Sequence, residues 1–304
     1  MEGGGVAPRS EAQTMSARAG VAHSFRTTLE MIKFSHTLFA LPFALYSAVL
    51  AAGGWPSAAT LTKIIVAMVA ARSAAMAHNR LADRTIDAAN PRTASRALPS
   101  GALSVAFVRT FLAVAIAVFL GAAASLNRLT LLLSPLALGL LLLYAYTKRF
   151  TALSHLVLGL CLALAPVGAW IAVRGSVSAL PILLGLAVLF WTAGFDVIYS
   201  LQDEEFDRRE GLRSIPARLG ARGALVVSAL FHLAMAILLL AVWRVSGSGT
   251  LLLVGIGATV AALVYQHAIV RPGDLSRIDA AFFTSNGFVS IALAACGIAD
   301  VFAR

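Results

Sequence analysis

Charge is what this sequence has least of. Only 12% of its 304 residues are charged, and only 14 are acidic, where an ordinary soluble domain carries about 25% charged residues. That scarcity, with 59% hydrophobic residues and a mean hydropathy of +0.85, excludes a soluble globular enzyme. Cysteine is nearly absent too. Cys161 and Cys296 both fall in apolar runs, away from any second cysteine or a histidine at metal spacing. That excludes a disulfide framework and a thiolate metal site, and leaves two small packing residues. The six histidines (His23, His36, His78, His155, His232 and His267) form no ligand spacing. His36 and His78 fall near the charged end of the spans described below and could touch a substrate there, but a structural role is the better reading of each.

What is present is a succession of apolar runs, each long enough to cross a bilayer. Nine spans are expected, near 34–53, 60–78, 103–125, 129–147, 153–173, 178–199, 223–243, 250–268 and 283–302. A cleaved signal peptide cannot account for so many, and helices are the form such runs take in lipid. Gly53-Gly54 with Pro56, and Ser246 to Gly249, mark turns between them. Residues 1–24 are rich in Gly, Ala, Ser and Arg without apolar period, and read as a disordered cytoplasmic tail. A transit peptide is the weaker reading, since Glu2 and Glu11 interrupt it. The remainder, 25–304, is expected to form one all-α polytopic membrane domain.

The net charge of +10 sits mainly in short loops, so topology explains it better than a nucleic-acid partner does. One face collects Arg9, Arg18, Arg26, Lys33, Arg80, Arg84, Arg92, Arg96, Lys148, Arg149, Arg208, Arg209, Arg213, Arg218, Arg222, Arg271 and Arg277. The other has Lys63, Arg128, Arg174, Arg244 and Arg304. The positive-inside rule then puts the N-terminus in the cytoplasm and the C-terminus outside.

Eight of the 14 acids fall in two stretches of that same cytoplasmic face: Asp83 and Asp87, then Asp196, Asp203, Glu204, Glu205, Asp207 and Glu210. On a helix continuing the second span, Asn79, Asp83 and Asp87 (i, i+4, i+8) make one row about 12 Å long, with Arg80 and Arg84 on a neighbouring face. Asp196, Tyr199, Asp203 and Asp207 (i, i+3, i+7, i+11) make a second row. A single such row is usually a solvated helix end with local ion pairs. Two rows on one face of an acid-poor chain point instead to a site. Carboxylates in aligned sets repel one another and need cations. Mg²⁺ takes one or two of them and completes its shell with water and substrate phosphate. Lys148, Arg149, Arg92, Arg96 and Arg213 flank the rows, as a diphosphate requires. Arg72, two turns deeper than Asn79 on nearly the same face, is costly inside a span unless it faces a polar cavity or snorkels out. In a cavity it would meet an anionic group such as a carboxylate. A divalent-cation transporter also carries acid rows, but interleaved arginines repel a bare cation.

These stretches resemble a known family. "NRLADRTIDAANPRTASRALPSG" (79–101) is similar to the first aspartate motif of the UbiA superfamily of intramembrane aromatic prenyltransferases. "FDVIYSLQDEEFDRREGLRSIPARLG" (195–220) is similar to the second. "YAYTKRFTALSHLVLGLCLALAPVGAW" (144–170) and "IKFSHTLFALPFAL" (32–45) also resemble the family. The branch most resembled is that of 4-hydroxybenzoate polyprenyltransferases, which includes menaquinone-pathway members acting on a dihydroxynaphthoate. Haem O synthases share the NxxxDxxxD core but not the residues that follow. Phe206 stands before Asp207 where many members have paired acids, which bears on how many carboxylates meet metal there.

The resemblance implies nine helices around a central cavity, with both motifs at its cytoplasmic mouth. It also implies Mg²⁺-dependent transfer of a polyprenyl group from its diphosphate to an aromatic acid in quinone synthesis, in a bacterial inner membrane and without an obligate protein partner. Asn79, Asp83, Asp87, Asp203 and Asp207 would hold the metal, with Lys148, Arg149 and Arg213 on the diphosphate. Tyr144, Tyr146 and Tyr199 would face the allylic cation or anchor at the interface. Asp196 would take a proton or orient Tyr199, and Arg72 would hold the acceptor's carboxylate.

Overall fold

Helix starts and stops follow local chemistry along the whole chain. Ser57, Ser104, Asn127 and Ser214 each accept a hydrogen bond from the backbone N–H three residues on, capping the helices they precede. Gly175 (φ 66°) and Gly247 (φ 63°) adopt the left-handed conformation that ends a helix, where a side chain would be strained. The computed structural model describes residues 27, 28, 30, 31 and 37–304. The expected tail (1–24), Lys33 and His36 lie outside them.

The helices are α1 (Thr37–Ala52), α2 (Ala58–Ala82), α3 (Arg84–Ala89), α4 (Val105–Leu126), α5 (Arg128–Leu143), α6 (Ser154–Arg174), α7 (Ala179–Tyr199), α8 (Glu204–Arg209), α9 (Ile215–Ser246), α10 (Thr250–Ile269) and α11 (Asn286–Phe302). Short 3₁₀ segments cover Tyr144–Arg149 and Ser200–Asp203, and a π-helical turn covers Ala280–Ser285. Among the described residues eight helical stretches are long and apolar enough to cross a membrane, and Phe39–Ala52 in α1 is a shorter apolar helix. Together they match the nine expected spans. The helices α3 and α8 are short and carry Asp87 and Asp207, while Asp83 and Asp203 immediately precede them.

The nine long helices close a ring in the order α1, α2, α4, α5, α6, α7, α9, α10, α11 and back to α1. A cross-contact of α1 with α6 braces it, and there Ser47 Oγ donates to the Pro166 carbonyl at 2.6 Å. Pro42, Pro135 and Pro166 sit inside helices, as neighbouring groups in a membrane bundle allow. Helix α7 is the most enclosed span. Its Trp191 is fully buried, with its ring against Phe43 and Phe195, and its Nε1 donates to Asn286 Oδ1 at 3.0 Å. Phe39 and Phe282 complete an edge-to-face cluster with Phe195, at centroid distances of 5.3 to 5.8 Å. Cys161 and Cys296 are free thiols within helices.

Both acid rows differ from the expected continuous helices. Helix α2 stops at Ala82, Asp83 leaves helical geometry (φ −98°, ψ 7°), and α3 starts anew. Likewise α7 ends at Tyr199, and a 3₁₀ segment separates it from α8. Asp and Asn compete with the backbone for hydrogen bonds and break helices, so dense acids shorten the helix that periodicity extends. A further break at Gly220 (φ 67°, ψ 174°) detaches the first turn of α9 from its spanning part.

Candidate active site

The broken helix ends gather around one cavity of about 290 Å³ at one end of the ring. From α2 it is lined by Arg72, from the first motif by Asn79, Arg80, Asp83, Asp87, Asn90, Arg92 and Arg96, and from the second by Asp196, Tyr199, Asp203 and Asp207. Tyr144, Lys148 and Arg149 come from the 3₁₀ segment after α5. Phe39, Phe195 and Phe282 form an apolar, aromatic side. Residues scattered from 39 to 282 meet here because the ring returns every second helix end to the same face.

Each carboxylate is matched to a donor. Asp83 accepts from Asn79 Nδ2 at 2.9 Å and from Arg149 Nη2 at 3.0 Å. Arg149 Nη2 also donates to the Ala82 carbonyl, which α2 leaves open at its end. Asp87 is buried and accepts from Arg96 Nη1 at 2.6 Å; its Oδ2 accepts no hydrogen bond, with Arg80 Nη1 3.6 Å away. Asp203 takes a fork from Arg92, Nε to Oδ1 at 2.9 Å and Nη2 to Oδ2 at 2.6 Å. Asn90 Nδ2 stands 3.5 Å from Oδ1. Asp207, 2% exposed, meets Lys148 Nζ at 3.1 Å. Arg92 therefore ties the first motif to the second. Burial raises the Asp83 carboxyl above the usual carboxylate range, and the Arg149 hydrogen bond opposes it. Burial is the strongest single influence on the Arg92 guanidinium and acts to lower it, but the hydrogen bond to Asp203 together with the charges of Asp203, Tyr199 and Asp87 leaves it above its ordinary value.

Among the described residues no three His, Cys, Asp or Glu side chains converge as a ready metal site. The donor set nonetheless suits a hard cation that completes its shell with phosphate oxygens. Five carboxylates face one cavity, and one of them keeps a buried oxygen without a hydrogen bond. Six cationic side chains (Arg72, Arg80, Arg92, Arg96, Lys148 and Arg149) stand against those five acids, a formal surplus of one. A diphosphate carries more negative charge than that, so the residues present fit a diphosphate that arrives with metal.

The structure places most of the sequence-predicted residues on this lining, with three differences. Arg213 lies off it: its guanidinium donates to the Phe150 carbonyl at 2.6 Å and its backbone N–H to the Lys148 carbonyl at 2.7 Å, so it braces the segment that carries Lys148. Tyr146 packs outside the lining, under Arg149 and edge-on to His78. Arg80, expected on a neighbouring face with the exposed Arg84, is buried and turns inward. Sequence reasoning missed Asn90, His155 and the phenylalanines. Asn90 lies within the quoted first motif and was findable. Phe282 was not, because its approach to Tyr199 (ring centroids 4.1 Å apart) depends on the π-helical turn before α11.

A model of the UbiA prenyltransferase family matches residues 40–290. A 4-hydroxybenzoate octaprenyltransferase of Aeromonas salmonicida (strain A449) is 32% identical over 250 residues, covering 82% of this chain and 86% of that one. The apo structure of a UbiA homolog from Aeropyrum pernix K1 superposes with a TM-score of 0.79 at 38% identity, covering 87% of this chain and 98% of the other. A UbiA homolog from Archaeoglobus fulgidus bound to DMAPP and Mg²⁺ shares the fold, with a TM-score of 0.70 at 20% identity and 91% and 100% of the two chains covered.

Proposed function

Since the chain belongs to the UbiA prenyltransferase family, we propose that its donor is a polyprenyl diphosphate and its acceptor a small aromatic acid, 4-hydroxybenzoate or a close analogue. It is an integral membrane enzyme that transfers prenyl groups. The observation that carries the finer reading is the cavity itself, a mouth of paired acids and cations above an aromatic, apolar side. That division suits a substrate with a charged head and a hydrocarbon tail. The name of the Aeromonas salmonicida relative supports the acceptor. The ligands named for the Archaeoglobus fulgidus structure support Mg²⁺.

Asn79, Asp83, Asp87, Asp203 and Asp207 would hold Mg²⁺, which neutralises the diphosphate and eases its departure. Lys148, Arg149 and Arg92 bind the remaining phosphate charge. Phe39, Phe195, Phe282 and the Tyr199 ring exclude water from the allylic carbon and offer it π faces. Arg72 holds the acceptor's carboxylate, which turns the ring so that the carbon beside its hydroxyl meets the allylic carbon. Asp196 receives the proton that leaves. The basic face and this mouth lie on the cytoplasmic side of the membrane, with the C-terminus outside.

The direct test uses membranes from a strain lacking its own enzyme, supplied with Mg²⁺, a radiolabelled polyprenyl diphosphate and one of two acceptors. Labelled product with 4-hydroxybenzoate is expected. Product with 1,4-dihydroxy-6-naphthoate alone moves the enzyme to menaquinone synthesis, and product with neither overturns the acceptor class. Arg72→Ala is expected to raise KM for 4-hydroxybenzoate about tenfold or more, the loss of one charge-assisted hydrogen bond. KM for an acceptor lacking the carboxylate should stay put. An equal rise for both acceptors removes the carboxylate role from Arg72.

A further inference from the structure

We infer that His155 is the positioning residue for Asp196, holding one carboxylate oxygen so that the other faces the acceptor. His155 sits at the second position of α6 and is fully buried. Its Nδ1 lies 2.6 Å from Asp196 Oδ2 on α7, and its Nε2 lies 3.4 Å from the backbone nitrogen of Ile215, which opens α9. A backbone N–H can only donate, so Nε2 presents its lone pair to Ile215. The ring proton of the neutral imidazole is then on Nδ1, where it is donated to Asp196. The scaffold of three helices thus sets the tautomer.

Two consequences follow for Asp196. With Oδ2 engaged by the imidazole, Oδ1 makes no hydrogen bond among the described residues, and Asp196 lines the cavity. Nδ1 already carries its hydrogen, so the imidazole cannot take a second proton there. A proton captured by Asp196 returns to water through the mouth of the cavity. His155 is a pin and not a relay.

The inference rests on the proposed role of Asp196 and balances as follows. The carbon–oxygen bond to diphosphate breaks and its electron pair leaves with the diphosphate. A π pair of the aromatic ring forms the new carbon–carbon bond. The hydrogen on that ring carbon departs as a proton to Asp196 Oδ1, which restores aromaticity. One proton and one diphosphate are released per prenyl group transferred.

Two polar substitutions separate this role from plain packing. Asparagine places its amide nitrogen where Nδ1 stands and keeps the bond to Asp196, but it abandons Ile215. Glutamine reaches the place of Nε2, so its oxygen can accept from Ile215 while Asp196 loses its donor. With Mg²⁺, polyprenyl diphosphate and 4-hydroxybenzoate, His155→Asn is expected to keep kcat near the parent value. His155→Gln is expected to lower kcat roughly tenfold or more, with KM for the diphosphate unchanged in both. The reverse order, or equal losses, overturns the inference and leaves His155 a helix-packing residue. Asp196→Asn distinguishes the deeper failure. Parent-level activity there removes the proton-accepting role itself, whereas loss at Asp196 beside an active His155→Gln removes only the pin.

Discussion

Asp83→Asn and Asp203→Asn are each expected to lower prenyl transfer by about a thousandfold, with the protein still inserted in the membrane. The test is sharp because simple electrostatics predicts the opposite for binding. Each carboxylate now neutralises an arginine, Arg149 at 3.0 Å and Arg92 at 2.6 Å. Removing the negative charge frees a guanidinium for the diphosphate. If the aspartates served only to hold those arginines, the asparagine variants would bind a non-hydrolysable prenyl diphosphate analogue as well as the parent, or better, with or without Mg²⁺. If they are metal ligands, binding without Mg²⁺ rises or holds while the strengthening brought by Mg²⁺ disappears. Calorimetry of the analogue with and without Mg²⁺, on parent and variants, reads the difference directly. Mg²⁺-strengthened binding in either variant removes that aspartate from the metal set.

The second large effect concerns stability. Gly159→Ala is expected to lower the melting temperature by about 2–5 °C, from the 1–3 kcal/mol that overpacking costs. A Cβ at Gly159 would overlap the carbonyl oxygen of Leu189 on α7 and come within 3.0 Å of its carbonyl carbon. Both are backbone atoms of a buried helix, so relief comes only from moving α6 away from α7. Small residues at such crossings are what let membrane helices pack closely. Gly168→Ala, in the same helix, is the control, because its Cβ meets nothing within 4 Å. It should be neutral or slightly stabilising, since alanine is the better helix former. Equal melting temperatures for the two variants would show that the close crossing is not what holds α6 on α7. The movement matters beyond stability, since α6 carries His155 one turn earlier and α7 carries Asp196.

Much of this was legible because hydropathy and charge are local signals. Nine spans and a basic face follow from apolar runs and the loops between them. The acid rows named residues that do line one cavity, since i and i+4 stay near one another even when the helix breaks between them. The break itself was not legible, because periodicity has no term for a carboxylate competing with the backbone at Asp83. Pairings were less accessible still. His155 and Asp196 are 41 positions apart, and Arg92 and Asp203 are 111 apart. Antiparallel packing of α6 on α7 brings the first pair together, and the second meets only where the two motif loops face each other across the ring. Arg213 shows the converse: a basic residue beside an acidic motif reads as a phosphate ligand until the Phe150 carbonyl is seen to hold it.

The pairing of acids with bases across motifs bears on how such a protein changes over generations. Asp203 and Arg92 lie on separate stretches of chain, yet each holds the charge that makes the other tolerable in a half-dry place. A mutation at one leaves its mate without its counter-charge, so single changes at Asp203 or Arg92 are expected to be kept less often than changes at unpaired positions. A change that spares both charges therefore involves two codons far apart in the gene, 111 residues in the chain, whereas an exposed apolar position has no such mate.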